Sequence, residues 1–260
     1  MNMSMGIQRL KSSKILLIGD ACEDVYHYGE CTRISPEAPV PIFGFSYSET
    51  KPGMALNVKE NLIGLGNKVL SLVNSSPISK ERYIDQKTMQ HMFRVDKGED
   101  SKLKPMSPNL LKGLDASSFD AVVISDYDKG FVDTDTAAAI IKFAKSIPVF
   151  VDSKKNDLSC YKGCIIKINE QEYQSALNVP GGDLIITLGS RGCVWSDILF
   201  EAEKVNVFDV CGAGDTFLAS LVTGYLSTND MSSALEFANR CSAIAVSNFG
   251  AYTIKLEDLN

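Results

Sequence analysis

The segment Asp209-Val210-Cys211-Gly212-Ala213-Gly214-Asp215-Thr216 holds the residue types of this chain with the most chemistry in them. It opens a strongly apolar stretch, with Phe217, Leu218, Leu221, Val222 and Tyr225 at helical spacing. Gly212 and Gly214 let the backbone pass close to a ligand. The free N–H groups of a helix start then converge on one point, with the positive end of the helix dipole behind them. Such a point suits a transferring phosphoryl group, whose charge spreads over its equatorial oxygens. Asp215 stands beside it, where a carboxylate takes a proton from an attacking hydroxyl as general base. The same eight residues also suit a plain helix start stabilised by an acidic side chain. Residue types alone leave both readings open.

The elements around this segment are expected to place it at the edge of an open sheet. Ile15–Gly19 is a short aliphatic run, the pattern of a strand buried on both faces. Further strands are expected at Phe119–Ser125, Ile147–Asp152, Ile165–Asn169 and Leu184–Gly189, with edge strands at Cys193–Ser196 and Val205–Phe208. Helices are expected over Ala55–Leu65, Thr134–Ser146, Glu170–Leu177, Ala213–Leu226 and Met231–Ser247. Ser107-Pro108 fits an N-cap followed by proline at the first helical position. Strands alternating with helices imply a mainly parallel sheet covered on both faces. Val40–Phe45 and Arg82–Val95 instead alternate apolar with polar residues, as in a small separate sheet with one wet face. Ligands of open parallel sheets bind beyond the carboxyl ends of the strands. That draws attention to Asp20, Asp24, Asp126, Asp152, Asn169, Thr187 and Asp209.

The 260 residues are 45% hydrophobic and 22% charged, ample for a large buried core. A formal charge of -6 without a run of Lys or Arg argues against a nucleic-acid or anionic-membrane surface. Seven scattered cysteines with no CxxC pair, and only His27 and His91, argue against a disulfide framework or a zinc site. No signal-like or membrane-spanning apolar stretch is present, so a cytoplasmic protein is expected. No GxxxxGK[ST] and no GxGxxG occurs, which disfavours the nucleotide folds built on those loops.

Beyond these readings, DVCGAGDT is similar to the DTxGAGD signature of the ribokinase-like (PfkB) carbohydrate kinases. GDACEDVYHYGECTRISPEAPVPIF, KPGMALNVKENLIGLG, SDYDKG at 125–130 and VDSKK at 151–155 resemble the heptose-7-phosphate kinase branch of that family. The resemblance runs from about Lys14 to Thr253. It implies a three-layer α/β/α sandwich, with residues 1–260 as one main domain and a small β lid over about 26–50 and 82–97. It implies ATP-dependent phosphorylation of a sugar or sugar-phosphate hydroxyl, a heptose 7-phosphate first among them. Asp215 is then the base, and the Gly212, Ala213, Gly214 and Asp215 amides form the anion hole.

By the same resemblance Asp20, Asp24, Gly53, Asn57 and Asp126 belong to the acceptor site. Asn169 and Glu172 match an NxxE motif that binds Mg²⁺, Glu172 through water. Thr187, Gly189, Gly192 and Asn239 match the ATP site. Lys129 and Arg33 are the cationic candidates for an acceptor's own phosphate, and a monovalent cation such as K⁺ is a further expectation. Two copies are expected to pair through the lid. Read without the resemblance, Asp20 suits a turn, Asn57 and Asn169 suit helix caps, Asn239 an ordinary helix position, and Arg33 and Lys129 solvated charges.

The chain departs from that pattern in three places. Met54 stands where the family carries the second glycine of a pair, and its side chain restricts a backbone that flexes as the lid closes. Leu70–Val73 runs almost directly into Pro77–Asp85, which removes one strand and its helix. Cys211 takes a position that is commonly threonine or another small residue, a harmless change.

Overall fold

The computed structural model describes residues 10–75, 78–99, 102–145 and 147–259. The first part of the chain forms β1 (Lys14–Gly19), β2 (Ala21–Ile34), β3 (Pro41–Met54), α1 (Ala55–Gly64), β4 (Lys68–Val73), β5 (Ser79–Asp85) and β6 (Gln90–Lys97). There follow β7 (Ala121–Asp126), α2 (Thr134–Ala144), β8 (Val149–Ser153), β9 (Ile165–Asn169), α3 (Glu170–Ser175) and β10 (Leu184–Thr187). A hairpin of β11 (Cys193–Trp195) and β12 (Ile198–Phe200), then α4 (Ala213–Thr228) and α5 (Met231–Val246), complete the order.

Among the described residues, eight strands form one sheet in the order β12-β11-β10-β9-β8-β7-β1-β4. The six from β4 to β10 in that row are parallel, and β11 and β12 add an antiparallel edge. The central strands read as unbroken apolar runs because both faces are covered. In β1, Ile15 and Leu17 pack with α1, α4 and α5 through Val58, Leu218, Leu221 and Leu235. Leu16 and Ile18 face the opposite core, built with Ala137 and Ile140 of α2. The result is the three-layer α/β/α arrangement expected from the alternating pattern.

A second sheet of four strands, β3-β2-β5-β6, springs from the same end of β1. β2 starts one residue beyond β1, runs out for 14 residues, and β3 returns antiparallel to it directly into α1. β5 lies parallel to β2 and antiparallel to β6. Ahead of the sheet's irregularities at Tyr28/Gly29 and Tyr83/Ile84, side chains alternate between its two faces. Cys22, Asp24 and Tyr26 of β2 and Lys80 and Arg82 of β5 share the pocket side of the sheet, while the rings of His27 and Tyr83 pack at a 33° tilt on the other.

Several expected elements differ. Arg82–Val95 is two strands rather than one, because the chain turns at 86–89 with Met89 at φ 56°. Val205–Phe208 is not a strand: this stretch is largely exposed, and Phe208 N donates to Val246 O of α5 instead of a ladder partner. The outer strand is β12, reached through a tight turn with Ser196 and Asp197 at positive φ, the geometry that suits a two-residue hairpin. Ser107 makes no side-chain cap, and Pro108–Leu111 is a single 3-10 turn. α3 ends at Ser175 and not Leu177. The expected end of α2 at Ser146, and Pro77, lie outside the described residues. β4 ends at Val73 beside β1, and Ser79 already belongs to the second sheet.

Candidate active site

The start of α4 is shaped by Asp209 and two glycines. Asp209 Oδ1 accepts from Cys211 N at 2.9 Å and Oδ2 from Gly250 N at 3.1 Å, which folds the turn before the helix. Gly212 takes φ 76°, and a Cβ there would stand 2.7 Å from Asn57 Nδ2. A Cβ on Gly214 would come within 3.1 Å of Lys167 Nζ. Ala213 N is already engaged by Val210 O at 3.2 Å. The next amides, those of Gly214 and Asp215, belong to the turn that a helix leaves without intrahelical acceptors.

Asp215 is 6% exposed and fixed through both carboxylate oxygens. Asn57 Nδ2 donates to Oδ2 at 2.8 Å, and the Tyr127 hydroxyl donates to Oδ1 at 2.9 Å. Burial pushes its carboxyl up to about 6; Asp152 adds to the rise, while Asn57, Tyr127 and Lys167 oppose it. Near neutral pH the group is mostly ionised and still basic enough to accept a proton. Along its flank, Lys167 Nζ donates to Asp152 Oδ2 at 2.6 Å, and Lys154 pairs with Glu172. Asp152 Oδ1 is buried without a hydrogen-bond partner.

Two cavities meet at this carboxylate. A cleft of about 770 Å³ runs over the carboxyl ends of β8, β9 and β10, with Lys154, Asn169, Thr187, Gly189, Gly192 and Asn239 on its walls. A pocket of about 110 Å³ lies under the second sheet, walled by Asp24, Met54, Asn57, Lys80 and Arg82. Gly212, Tyr127 and Asp215 line both. One cavity has the size of a typical small-molecule site, and the base sits between it and the smaller one.

The sequence-expected residues divide between these walls and the framework behind them. Asp24 reaches the pocket and accepts from Arg82 Nη1 at 2.5 Å. Gly53 stands behind Asp24, where a Cβ would overlap Asp24 Oδ2. Asn57 acts on Asp215 directly. Asp20 lines neither cavity: it is fully buried and accepts from the amides of Tyr127, Lys129 and Phe131. Asp126 is also fully buried, bonded to Ser153, Tyr161 and Lys155. Lys129 lines neither cavity but pairs at 3.0 Å with Glu99, whose other oxygen lies 3.2 Å from Lys80 on the pocket wall, and Arg33 is exposed near the end of β2. Asn169 and Glu172 form a reciprocal capping box on α3, each bond 2.8 Å long. Asn239 Nδ2 donates to Phe200 O at 2.8 Å and ties α5 to β12.

Sequence reasoning did not single out Tyr127, Lys80, Arg82, Lys154 or Lys167. Lys80 and Arg82 carried one usable signal, two cations at period-two spacing in a strand, which puts both on one face. Tyr127 directly follows β7, so the same rule that drew Asp152 also covers it, whereas Lys167 is the middle residue of β9 and its signal is a lone cation in an otherwise apolar strand.

Comparison with known proteins fits this geometry. The family model described as pfkB family carbohydrate kinase matches residues 85–258. The Bifunctional protein HldE of Campylobacter jejuni is 31% identical over 294 residues, covering 95% of this chain, and that of Nitratiruptor sp. is 30% identical over 301. The chain spans 64% of the length of these curated relatives. Among solved structures, phosphofructokinase-2 from Escherichia coli in complex with potassium superposes with a TM-score of 0.73 at 16% identity, covering 95% of this chain and 97% of that one. Ribokinase from Arabidopsis thaliana, complexed with ribose and ATP, gives 0.66 at 17% identity, with 96% and 98% covered. The fold is therefore ribokinase-like, and with two thirds of its length matched by the family model the chain belongs to the pfkB family of carbohydrate kinases.

Proposed function

We propose that this protein transfers the terminal phosphoryl group of ATP to a hydroxyl of a sugar or sugar phosphate, with Asp215 as general base. The observation that carries the reading is the place of Asp215: a buried carboxylate at a glycine-opened helix start, lining both the large cleft and the small pocket. A donor in one cavity and an acceptor in the other put the attacking oxygen beside the base and the phosphoryl group beside the helix start. Thr187, Gly189, Gly192 and Asn239 are the walls of the donor side, and Asp24, Asn57, Lys80 and Arg82 those of the acceptor side.

Mg²⁺ fits this donor site through its ligand chemistry. Asp152 Oδ1, which accepts no hydrogen bond and lies 3.9 Å from Lys154 Nζ, and the Asn169 and Glu172 side chains are hard oxygen donors near that ammonium. Among the described residues no cluster of three or more His, Cys, Asp or Glu could hold a metal alone. One carboxylate plus waters and phosphate oxygens is the usual set for Mg²⁺ in such enzymes. The ion would neutralise charge on the triphosphate; Asp152 and Glu172 would hold it, the latter through water.

Heptose 7-phosphate is the acceptor this reading favours, supported by the RISPEAPVP and SDYDKG segments. Lys80 and Arg82 replace Arg33 and Lys129 as the cations facing it. We place the protein in the cytoplasm; among the described residues no helix is long and apolar enough to cross a membrane. Two copies pair in this reading through the second sheet. Its outer side stacks Tyr83 on Phe93 at 4.3 Å and leaves Phe45 and Phe93 exposed. The test is a coupled ATPase-linked assay with Mg²⁺ and a panel of sugar phosphates, sugars and nucleosides. Turnover with heptose 7-phosphate above all others is expected. Turnover confined to a nucleoside would overturn the acceptor assignment, and ATP binding without turnover on any acceptor would leave only a binding protein.

A further inference from the structure

We propose that Tyr127 is a positioning residue for the base, and that Asp20 serves it by holding the loop from which it reaches Asp215. The inference rests on the reading of Asp215 as base. Three observations lead to it. The Tyr127 hydroxyl donates to Asp215 Oδ1 at 2.9 Å, and its side chain lines both cavities, so it forms part of the wall where they meet. The loop after β7 is not free to choose that position. Asp20, fully buried at the end of β1, accepts from Tyr127 N at 2.7 Å, Lys129 N at 3.2 Å and Phe131 N at 3.2 Å. A carboxylate can accept from several donors at once, whereas the neighbouring backbone offers one carbonyl per residue. Asp128 at φ 56° and Gly130 at φ 104° show how tightly the loop is wound around it.

The chemistry is one-directional. Burial, and the negative charge of Asp215 beside it, raise the Tyr127 hydroxyl well above its ordinary range. It therefore stays protonated and can only donate to the carboxylate while that is ionised. With Asn57 on the other oxygen, the carboxylate plane is fixed where the two cavities meet. The other groups acting on Asp215 come from each element around it: Asp152 from β8, Lys154 just beyond it, Lys167 from β9 and Cys22 from β2. Losing the Tyr127 donor leaves those in place, so the proton affinity of Asp215 rises.

The experiment uses the full chain with selectively ¹³C-labelled aspartate, the Asp215 signal being assigned by its loss in Asp215→Asn. Its titration midpoint is read in wild type, Tyr127→Phe and Asp20→Asn, together with kcat and KM for ATP and heptose 7-phosphate. In Tyr127→Phe the midpoint moves up by about one pH unit, the size of one hydrogen bond to a charge. kcat falls about tenfold with KM for ATP unchanged, and the acid limb of the pH profile moves with the midpoint. Asp20→Asn shifts the midpoint the same way by less, since it loosens the loop without deleting the hydroxyl. If Asp20→Asn fails to fold, Tyr127→Phe decides alone. A folded Tyr127→Phe whose midpoint matches wild type overturns the proposal. The titration needs no turnover, so it stands apart from the base reading, which fails instead if Asp215→Asn keeps its kcat.

Discussion

Asp215 and Met54 each break a local rule with a measurable consequence. A buried carboxyl raised from 3.8 to about 6 binds its proton more tightly in the folded state than in the unfolded one. Its ionisation therefore opposes folding: the contribution is absent below about pH 4 and complete above about pH 6. Asp215→Asn is expected to melt at higher temperature than wild type at pH 7.5, by the equivalent of about 3 kcal/mol, with the gap closing as the pH falls towards 4. Parallel thermal melts across that range check it, and a gap that widens in acid contradicts it.

Met54 sits at φ 54° and ψ -129°, 3% exposed, at the start of α1 and on the small pocket. A side chain held in such a conformation costs on the order of 1–3 kcal/mol. Met54→Gly is expected to raise kcat/KM for heptose 7-phosphate about tenfold, equal to about 1.4 kcal/mol. An unchanged value would mean the side chain is accommodated as it stands. At this scale the sequence was generous where glycines announce a turn, and silent where a contact joins distant segments. Gly212 and Gly214 pointed to Asp215 directly. The loop held by Asp20 is over a hundred positions away along the chain, and no local pattern carries a pairing of that kind.

Among the elements, β1 was legible because burial on both faces leaves an apolar run that nothing else in a short strand imitates. The helices α4 and α5 were legible for the same reason of burial, read at helical period. The pattern of Val205–Phe208, apolar-polar-apolar-apolar, imitated a strand, yet Val205 and Val207 rim the large cleft and the stretch has no ladder partner among the described residues. β2 and β3 were read only in part, because their pairing slips at Tyr28/Gly29 and Cys31/Arg33 and breaks the alternation. Asn169 shows how a motif can hold two meanings, since its capping box stabilises α3 while the residue also lines the cleft. Asn169→Ala should cost about 1 kcal/mol of stability as a lost cap. If its oxygens also serve the ion, the Mg²⁺ half-saturation of turnover rises as well. A stability loss with an unmoved Mg²⁺ dependence would leave Asn169 a cap only. Gly192 is stricter: at φ 97° a Cβ would overlap the Phe200 carbonyl oxygen. Gly192→Ala should therefore raise KM for ATP and lower the melting temperature together. Loss of neither would contradict the wall assigned to it.

For the molecule as a whole, the arrangement is an α/β/α body with a second sheet over the carboxyl ends of its strands. That sheet has a charged inner side bearing Asp24, Lys80 and Arg82, and an aromatic outer side bearing His27, Tyr83 and Phe93. Exposed stacked aromatics favour a partner surface, and a symmetric second copy supplies one. Phe45→Glu with Phe93→Glu should shift the elution and light-scattering mass from dimer to monomer at micromolar concentration. A wild-type monomer would end that part of the reading. The central claim is narrower and rests on one carboxylate between two cavities. Its most direct test is single-turnover phosphoryl transfer from ATP to heptose 7-phosphate by Asp215→Asn, with ATP affinity measured in parallel. The account predicts a rate lowered by about two to four powers of ten with ATP binding nearly intact. A variant that keeps most of its rate would contradict it and leave Asp215 as no more than the acidic start of a helix.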